Sequence, residues 1–461
     1  MMQFTLNKTV VHIGKAAPEL AAWKSGAGTY EDKEDAFFVA DLSDIVNKFR
    51  IWKCLLPRVQ PFYAVKCNDD PCVLGLLAQL GTGFDCASKG EIQRILDMKV
   101  SPNRIIYANP CKQKSYIKYA AKHGVSMMTF DNEIELYKIK ATFPNSKLVI
   151  RIMPPDDSKS QCQLGMKFGC DPNDAGHLLR IAKELDLNVI GVSFHVGSGC
   201  YDATAFSEAV ASAHSVFQVA EELGFNFDLL DIGGGFPGQW SDKITFKEIC
   251  DELTPALDRY FPEGSGVRVI AEPGRYFVAS AFTLAVNIIA KRAVPRDNPG
   301  GYAVVVDGIS RDEEPHYMYY VNDGVYGSFN CLLFDHAEIE PNLLETPEPG
   351  VPTYSSSIWG PTCDGLDCIK KQCLLPELNT GEWLVFRNMG AYTMCAASAF
   401  NGMPKPHCYH TIHESCWMLL MKLAKSDASD LKLLPVNMKT GHNVPQTEHD
   451  SIVLDCDCLR T

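Results

Sequence analysis

Lys66 closes the apolar run Phe62-Tyr63-Ala64-Val65. A lysine leaving a buried strand is partly desolvated, which favours a neutral amine that attacks carbonyl carbons. Two glycine-rich turns follow much later, Gly233-Gly234-Gly235-Phe236-Pro237-Gly238 and Glu272-Pro273-Gly274-Arg275-Tyr276. Their bare backbone amides, with the bidentate cation of Arg275, make a cradle for a phosphate. The first turn matches the dinucleotide spacing G-x-G-x-x-G, but Pro237 falls inside it. The next residues, Gln239-Trp240-Ser241-Asp242, open no helix, so a phosphate without a dinucleotide is the better reading. A carbonyl-seeking lysine and a phosphate cradle together point to pyridoxal 5'-phosphate, held on Lys66 as a Schiff base. Its ring nitrogen works as part of an electron sink only when protonated, and Glu272, beside the second turn, supplies the opposing charge. His195, just before Gly197-Ser198-Gly199, is placed to lie flat against the ring.

These residues need a frame that gathers them at one end. Eight short apolar runs each finish in a polar group: Phe62–Lys66, Thr82–Asp85, Arg104–Asn109, Met127–Asp131, Leu148–Arg151, Val189–His195, Leu229–Gly233 (with Asp231) and Val267–Glu272. Helical periodicity fills the gaps, as in Ile117–Lys122 and Phe206–Leu223. Continuous apolar runs alternating with helices read as parallel strands buried on both faces, joined by right-handed crossovers. Eight such units predict a (β/α)8 barrel, with its chemistry at the carboxyl ends of the strands and a phosphate site at the seventh and eighth.

From Phe282 the pattern becomes all-β: Phe282–Ala290, Tyr302–Val306, Tyr317–Val321 and Glu382–Phe386, separated by Gly- and Pro-rich turns. The expected organisation is an N-terminal segment 1–40 that lends the strand Phe37–Ala40 to the β domain, a barrel over 41–281, a Greek-key-like or sandwich β domain over 282–425, and a structureless polar tail over 426–461. Exposed loops are expected at Pro295–Gly301 and Glu345–Pro352.

The chain has 461 residues, 46% hydrophobic and 21% charged, which suits two globular domains. Apolar stretches stop well short of the roughly 20 residues of a membrane helix, and the N-terminus lacks a secretory pattern, so a soluble intracellular protein is expected. A net charge of −13 argues against sequence-independent nucleic-acid binding. Eighteen cysteines without a C-x-x-C pair fit a reducing compartment and support no zinc ribbon. His407, Cys408, His410, His413 and Cys416 could furnish zinc ligands, but their spacing matches no zinc motif; a strand followed by a helix is the favoured reading, and no metal is expected.

The segments PFYAVKCN, GFDCAS, YANPCKQ, SFHVGSGC, DIGGGFPG, AEPGRY, YYVNDGVYGSFNC, WGPTCDGLD and NMGAYT resemble those of eukaryotic ornithine decarboxylases, from about Ala36 to about Gly402. That family has the alanine racemase-like fold type III and opens polyamine biosynthesis by converting ornithine to putrescine in the cytoplasm. The resemblance implies a head-to-tail homodimer whose active sites are shared across the interface. It places the cofactor lysine on Lys66, the pyridinium acid on Glu272 and the stacking histidine on His195. Phosphate contacts fall on Ser198, Gly235, Arg275 and Tyr392, and further cofactor-pocket positions on Asp85, Glu91 and Arg151. The catalytic cysteine falls on Cys363, with Asp335, Asp364, Tyr326 and Phe334 at the substrate. It also implies antizyme as a partner, contacting Lys112–Glu135, with Lys118 and Lys122 exposed on a helix.

Elementary chemistry agrees with the substrate residues. Loss of carbon dioxide leaves a carbanion that must be reprotonated, and a thiol at Cys363 is a suitable donor. A distal ammonium taken out of water needs partners, so Asp335 and Asp364 suit a diamino acid. Phe334 stands where the family usually has tyrosine, which bears on the choice among ornithine, lysine and arginine; the loop Met153–Ser158 is one residue longer than usual. A non-catalytic antizyme inhibitor is the main rival. It is disfavoured because Lys66, Asp85, Arg151, Tyr326, Asp335, Cys363 and Asp364 are all present.

Overall fold

Eight parallel strands close a barrel in chain order: Val59–Ala64, Gly83–Cys86, Ile105–Tyr107, Met127–Phe130, Lys147–Arg151, Asn188–Ser193, Leu229–Asp231 and Arg268–Ala271. Each pairs with the next, and the eighth returns to the first through Ala271 and Pro61. The structure is a computed structural model describing residues 2–6, 9–14, 34–154, 160–162, 167–239, 243–294, 316–344, 347, 349–423, 437–438 and 454–455.

The eight strands coincide with the eight expected runs, because strands buried on both faces leave an unbroken apolar signature. Phe62, Ile106, Met127, Val149, Leu229 and Ile270 pack together in a buried core. Gly83 lies opposite Phe62 in register, and a Cβ there would stand 2.4 Å from the Phe62 ring. The glycine is what lets that ring fit.

Helices begin where the chain supplies caps. Asp70 accepts from the Cys72 and Val73 amides ahead of Pro71 to start Pro71–Leu80, which Gly81 ends with φ +91°. Thr245 and Glu248 form a capping box at Phe246–Tyr260. From the helix Leu42–Leu55, Trp52 packs its indole on Phe236 and Tyr276 at 5.0 and 5.3 Å. That helix therefore backs the two glycine turns.

A second compact unit comprises Met1–Phe4, Val10–Asp41 and Ala279–His413. The ten-stranded mixed sheet runs, in spatial order, through Met2–Leu6, Thr9–Gly14, His407–His413, Phe37–Asp41, Phe282–Ala293, Tyr317–Val321, Thr353–Trp359 and Cys368–Pro376, with Trp383–Phe386 also on Phe282–Ala293 and Asn342–Leu343 on Trp383–Phe386. The strands Thr353–Trp359 and Cys368–Pro376 had no clear alternation in the sequence. The expected strand Tyr302–Val306, the loop Pro295–Gly301 and nearly all of the tail lie outside the described residues, which do hold a short antiparallel pair, Asn437–Met438 with Leu454–Asp455. The helix Glu414–Leu423 groups with the barrel, where Gln79 donates to the Leu420 carbonyl at 3.4 Å. Along His407–His413, His407 and His413 point to one face and Cys408 and His410 to the other, so the five potential zinc ligands do not share a face.

Candidate active site

Strand ends determine what meets at the barrel rim. Lys66 follows the first strand in the short helical turn Val65–Cys67, and its Nζ is 2.5 Å from Oδ2 of Asp85 on the neighbouring second strand. The Lys66 side chain is 40% accessible and so partly withdrawn from water, and its amine faces a buried carboxylate. Just beyond the second strand, Ser88 caps the helix Lys89–Asp97 and Glu91 accepts from the Ala87 amide at 2.6 Å. Burial above all, with the Asp85 charge adding to it, pushes the Glu91 carboxyl up to about 7.

His195, Asp231 and Glu272 lie at or just past the ends of the sixth, seventh and eighth strands, the last of which pairs with the first. Asp231 Oδ1 accepts from the Gly233 amide at 2.9 Å, and the Gly233 carbonyl accepts from the Glu272 amide at 2.6 Å. Glu272 Oε1 and Asp231 Oδ2 are buried and have no hydrogen-bond donor among the described residues. Burial, and then the Asp231 and Asp85 charges, hold the Glu272 carboxyl well above the usual range; burial likewise raises Asp231 to about 7. Half-buried His195 accepts the Gly197 amide on Nδ1 at 3.0 Å, which leaves its proton on Nε2. Burial and the positive charges of Arg151 and Lys66 keep that imidazole neutral, well below its usual pKa. Arg151 ends the fifth strand with its guanidinium 5.3 Å from the centre of the Phe168 ring.

The glycine turns are short of space by construction. A Cβ on Gly234 would stand 2.9 Å from His195 Nε2 and 2.8 Å from the Glu272 carbonyl, and one on Gly235 (φ +113°) 2.7 Å from the Gly197 carbonyl. Arg275 Nη2 donates to Ser198 Oγ at 2.9 Å, so the cation and the hydroxyl named for a phosphate are already joined. The donor set fits pyridoxal phosphate. Its ring N–H would supply what Glu272 Oε1 lacks, and the bare turn, Ser198 and Arg275 are suited to its phosphate.

The sheet unit holds a second cluster. The Tyr326 hydroxyl donates to Asp364 Oδ2 at 2.5 Å and thereby lowers the Asp364 carboxyl below its usual range. Cys363 is exposed, and its amide donates to Asn401 Oδ1 at 3.1 Å. Asp335 is buried, while the adjacent Phe334 is 71% exposed. Tyr392 adopts a left-handed backbone, φ +55°.

Several residues escaped the sequence reading. Asp367 accepts from the Val325 amide at 2.8 Å and from the Thr362 amide and hydroxyl at 2.9 and 2.6 Å, tying the loop of Tyr326 to that of Cys363 and Asp364. Asp323 accepts from the Gly324 and Ser328 amides and is raised by burial to about 6. Both lie inside the segments YYVNDGVYGSFNC and WGPTCDGLD, but nothing in those segments singles them out. Asp231 did carry a signal, as the polar residue closing the seventh run. The segment Lys112–Glu135 has buried ends and an exposed basic face between them. Lys112 is buried, pairs with buried Glu135 at 2.9 Å and donates to the Thr129 carbonyl, whereas Lys114, Lys118 and Lys122 are exposed.

Residues 42–279 match the family described as pyridoxal-dependent decarboxylase, pyridoxal binding domain. The ornithine decarboxylase of Mus musculus is 54% identical over 426 residues, 92% of this chain and 91% of that protein. Antizyme inhibitor 2 of Xenopus laevis is 55% identical over 395 residues, 86% of this chain and 85% of that protein. Among solved structures, the arginine decarboxylase of Paramecium bursaria Chlorella virus has a TM-score of 0.77 at 35% identity, covering 85% of this chain and 99% of that one. The putrescine complex of lysine/ornithine decarboxylase from Vibrio vulnificus has a TM-score of 0.73 at 30% identity, covering 87% and 100%.

Proposed function

The chain belongs to the pyridoxal-dependent decarboxylases, and we propose that it converts L-ornithine to putrescine and carbon dioxide. The observation that carries this reading is the buried Oε1 of Glu272. It lacks a donor in the same barrel unit that holds the Lys66–Asp85 pair and a glycine turn with no room for a Cβ. Lys66 would hold the cofactor's aldehyde carbon, Glu272 its ring nitrogen, and Ser198, Gly235, Arg275 and Tyr392 its phosphate. When bound, pyridoxal phosphate supplies an electron sink for the pair of electrons left by departing carbon dioxide.

The chain's own residues do the rest. Asp85 orients the Lys66 amine, with Glu91 and Arg151 completing the pocket. His195, kept neutral, presents an uncharged face that leaves Glu272 as the charge acting on the ring nitrogen. Asp335 and Asp364 pair with the substrate's distal ammonium, and Tyr326 keeps Asp364 ionised. Cys363 holds the proton returned to the α-carbon. Phe334 offers an apolar rim, so lysine is expected as a slower substrate; one methylene is worth only about 1–3 kcal/mol. We assign the working form to a homodimer in which the partner contributes Cys363 and Asp364. We assign antizyme to the exposed face of Lys114, Lys118 and Lys122 with the adjacent Ile134 and Tyr137. No helix among the described residues is long and apolar enough to cross a membrane.

Carbon dioxide release from ornithine, lysine and arginine, measured side by side with identification of the amine product, tests the assignment. Ornithine should be turned over fastest. Antizyme binding without release from any of the three would favour the inhibitor reading that the relatives also allow.

A further inference from the structure

Asp231 is fully buried, closes the seventh strand and has no place in the chemistry assigned above. Its two oxygens do different things. Oδ1 accepts from the Gly233 amide at 2.9 Å and so fixes the first residue of the glycine turn, where φ is +63°. The Gly233 carbonyl in turn accepts from the Glu272 amide at 2.6 Å. One aspartate thus sets, through a single residue, the backbone that carries Glu272. Oδ2 is left without a donor, as is Glu272 Oε1, although the two carboxyls lie within hydrogen-bonding reach of each other. Two neighbouring buried carboxyls are disfavoured as a pair of anions while no cation accompanies them, so they retain one proton between them. The other charged or titratable groups acting on the pair are Asp85, Arg151 and Lys66, with neutral His195 packed against the turn.

We propose that Asp231 is the positioning residue for Glu272: it holds that residue's backbone through Gly233 and shares one proton with its carboxyl until the cofactor's ring nitrogen takes the proton over. The transfer balances. A carboxyl O–H bond breaks, a ring N–H bond forms, and the pair changes from one negative charge to two beside a ring that has gained one positive charge. No proton needs to come from solvent. Delivering the ring nitrogen its proton and its counter-charge together explains why two acids, and not one, stand at this place. The inference rests on the functional reading above.

Infrared difference spectra of the full-length protein, with pyridoxal phosphate bound and after its removal, test the proposal without any substitution. The expected result is the carbonyl stretch of one protonated carboxyl in the stripped protein at neutral pH, lost when the cofactor is restored. In a second experiment Asp231→Asn keeps the acceptor for Gly233 but removes the charge. Loaded with cofactor labelled with nitrogen-15 in the ring, it should lose the ring proton at a pH about one unit lower than the unmutated protein, a change of about tenfold at fixed pH. Its kcat should fall while KM holds. A stripped protein without a protonated-carboxyl signal, or an Asp231→Asn protein with an unchanged ring-nitrogen titration, overturns the proposal. Failure to take up pyridoxal phosphate at all would instead refute the functional reading, and the carboxyl signal of the cofactor-free chain would then decide the shared proton by itself.

Discussion

Replacing Gly235 with alanine should cripple cofactor binding while leaving the barrel folded. Gly235 has φ +113°, a region that costs an L-residue on the order of 1–3 kcal/mol. The new methyl would also stand 2.7 Å from the Gly197 carbonyl oxygen and 2.7 Å from Val196 Cγ2, so something must shift, and overpacking of this kind costs roughly 1–3 kcal/mol. Both are penalties of one conformation. The cofactor-free turn can relax away from it, whereas a phosphate bound on the turn amides requires it, so the cost reports on affinity. Taking about 2–3 kcal/mol from the lower half of the combined range gives a weakening of about 30- to 150-fold. The assay is titration of the cofactor-free protein with pyridoxal phosphate, followed by the visible absorbance of the bound form. Gly264→Ala is the control: φ is +90° there too, but nothing lies within 4 Å of its Cβ, and the affinity should not change. If Gly235→Ala binds within about threefold of the unmutated chain, the turn is not the phosphate cradle and the magnitude argument fails.

Tyr326→Phe removes the hydroxyl that holds the Asp364 carboxyl low. The carboxyl should then protonate at higher pH, so the acid limb of kcat/KM should move upward while the plateau at higher pH keeps its shape; a pH–rate profile decides it. Glu135→Ala leaves the Lys112 ammonium buried without its carboxylate and should cost about 3–5 kcal/mol in urea unfolding, with a loss below about 1 kcal/mol contradicting the buried ion pair. Cys363→Ala should retain the cofactor's absorbance yet slow turnover or return the proton to the wrong carbon, and product analysis would expose either; unchanged kinetics with unchanged product would remove Cys363 from its role.

The barrel was legible because parallel strands covered on both faces announce themselves as apolar runs, and the polar residue ending each run lands at the rim. That logic located Lys66, Asp85, Arg151, His195 and Glu272 from the chain alone. It could not say which rim residues meet. Asp231 was visible as an end-of-run acid, but its link to Glu272 passes through the Gly233 turn and exists only after the seventh and eighth strands pair. Asp367 ends the segment WGPTCDGLD, but its bond to the Val325 amide, 42 positions away, has no local pattern to encode it. The burial of Lys112 was equally unreadable, because its partners Thr129 and Glu135 come from other pieces of chain. The Asp85 partner of Lys66 lies on the next strand, and the run that ends in Lys66 does not encode it.

Everything proposed for this site begins with which amine holds the cofactor. Borohydride reduction of the holoprotein, followed by peptide mapping, fixes the cofactor to the amine that carries it and identifies that amine by mass. The added mass is expected on the peptide containing Lys66, and Lys66→Ala should abolish it. Attachment to any other lysine, or no attachment in protein that has taken up pyridoxal phosphate, would contradict the account.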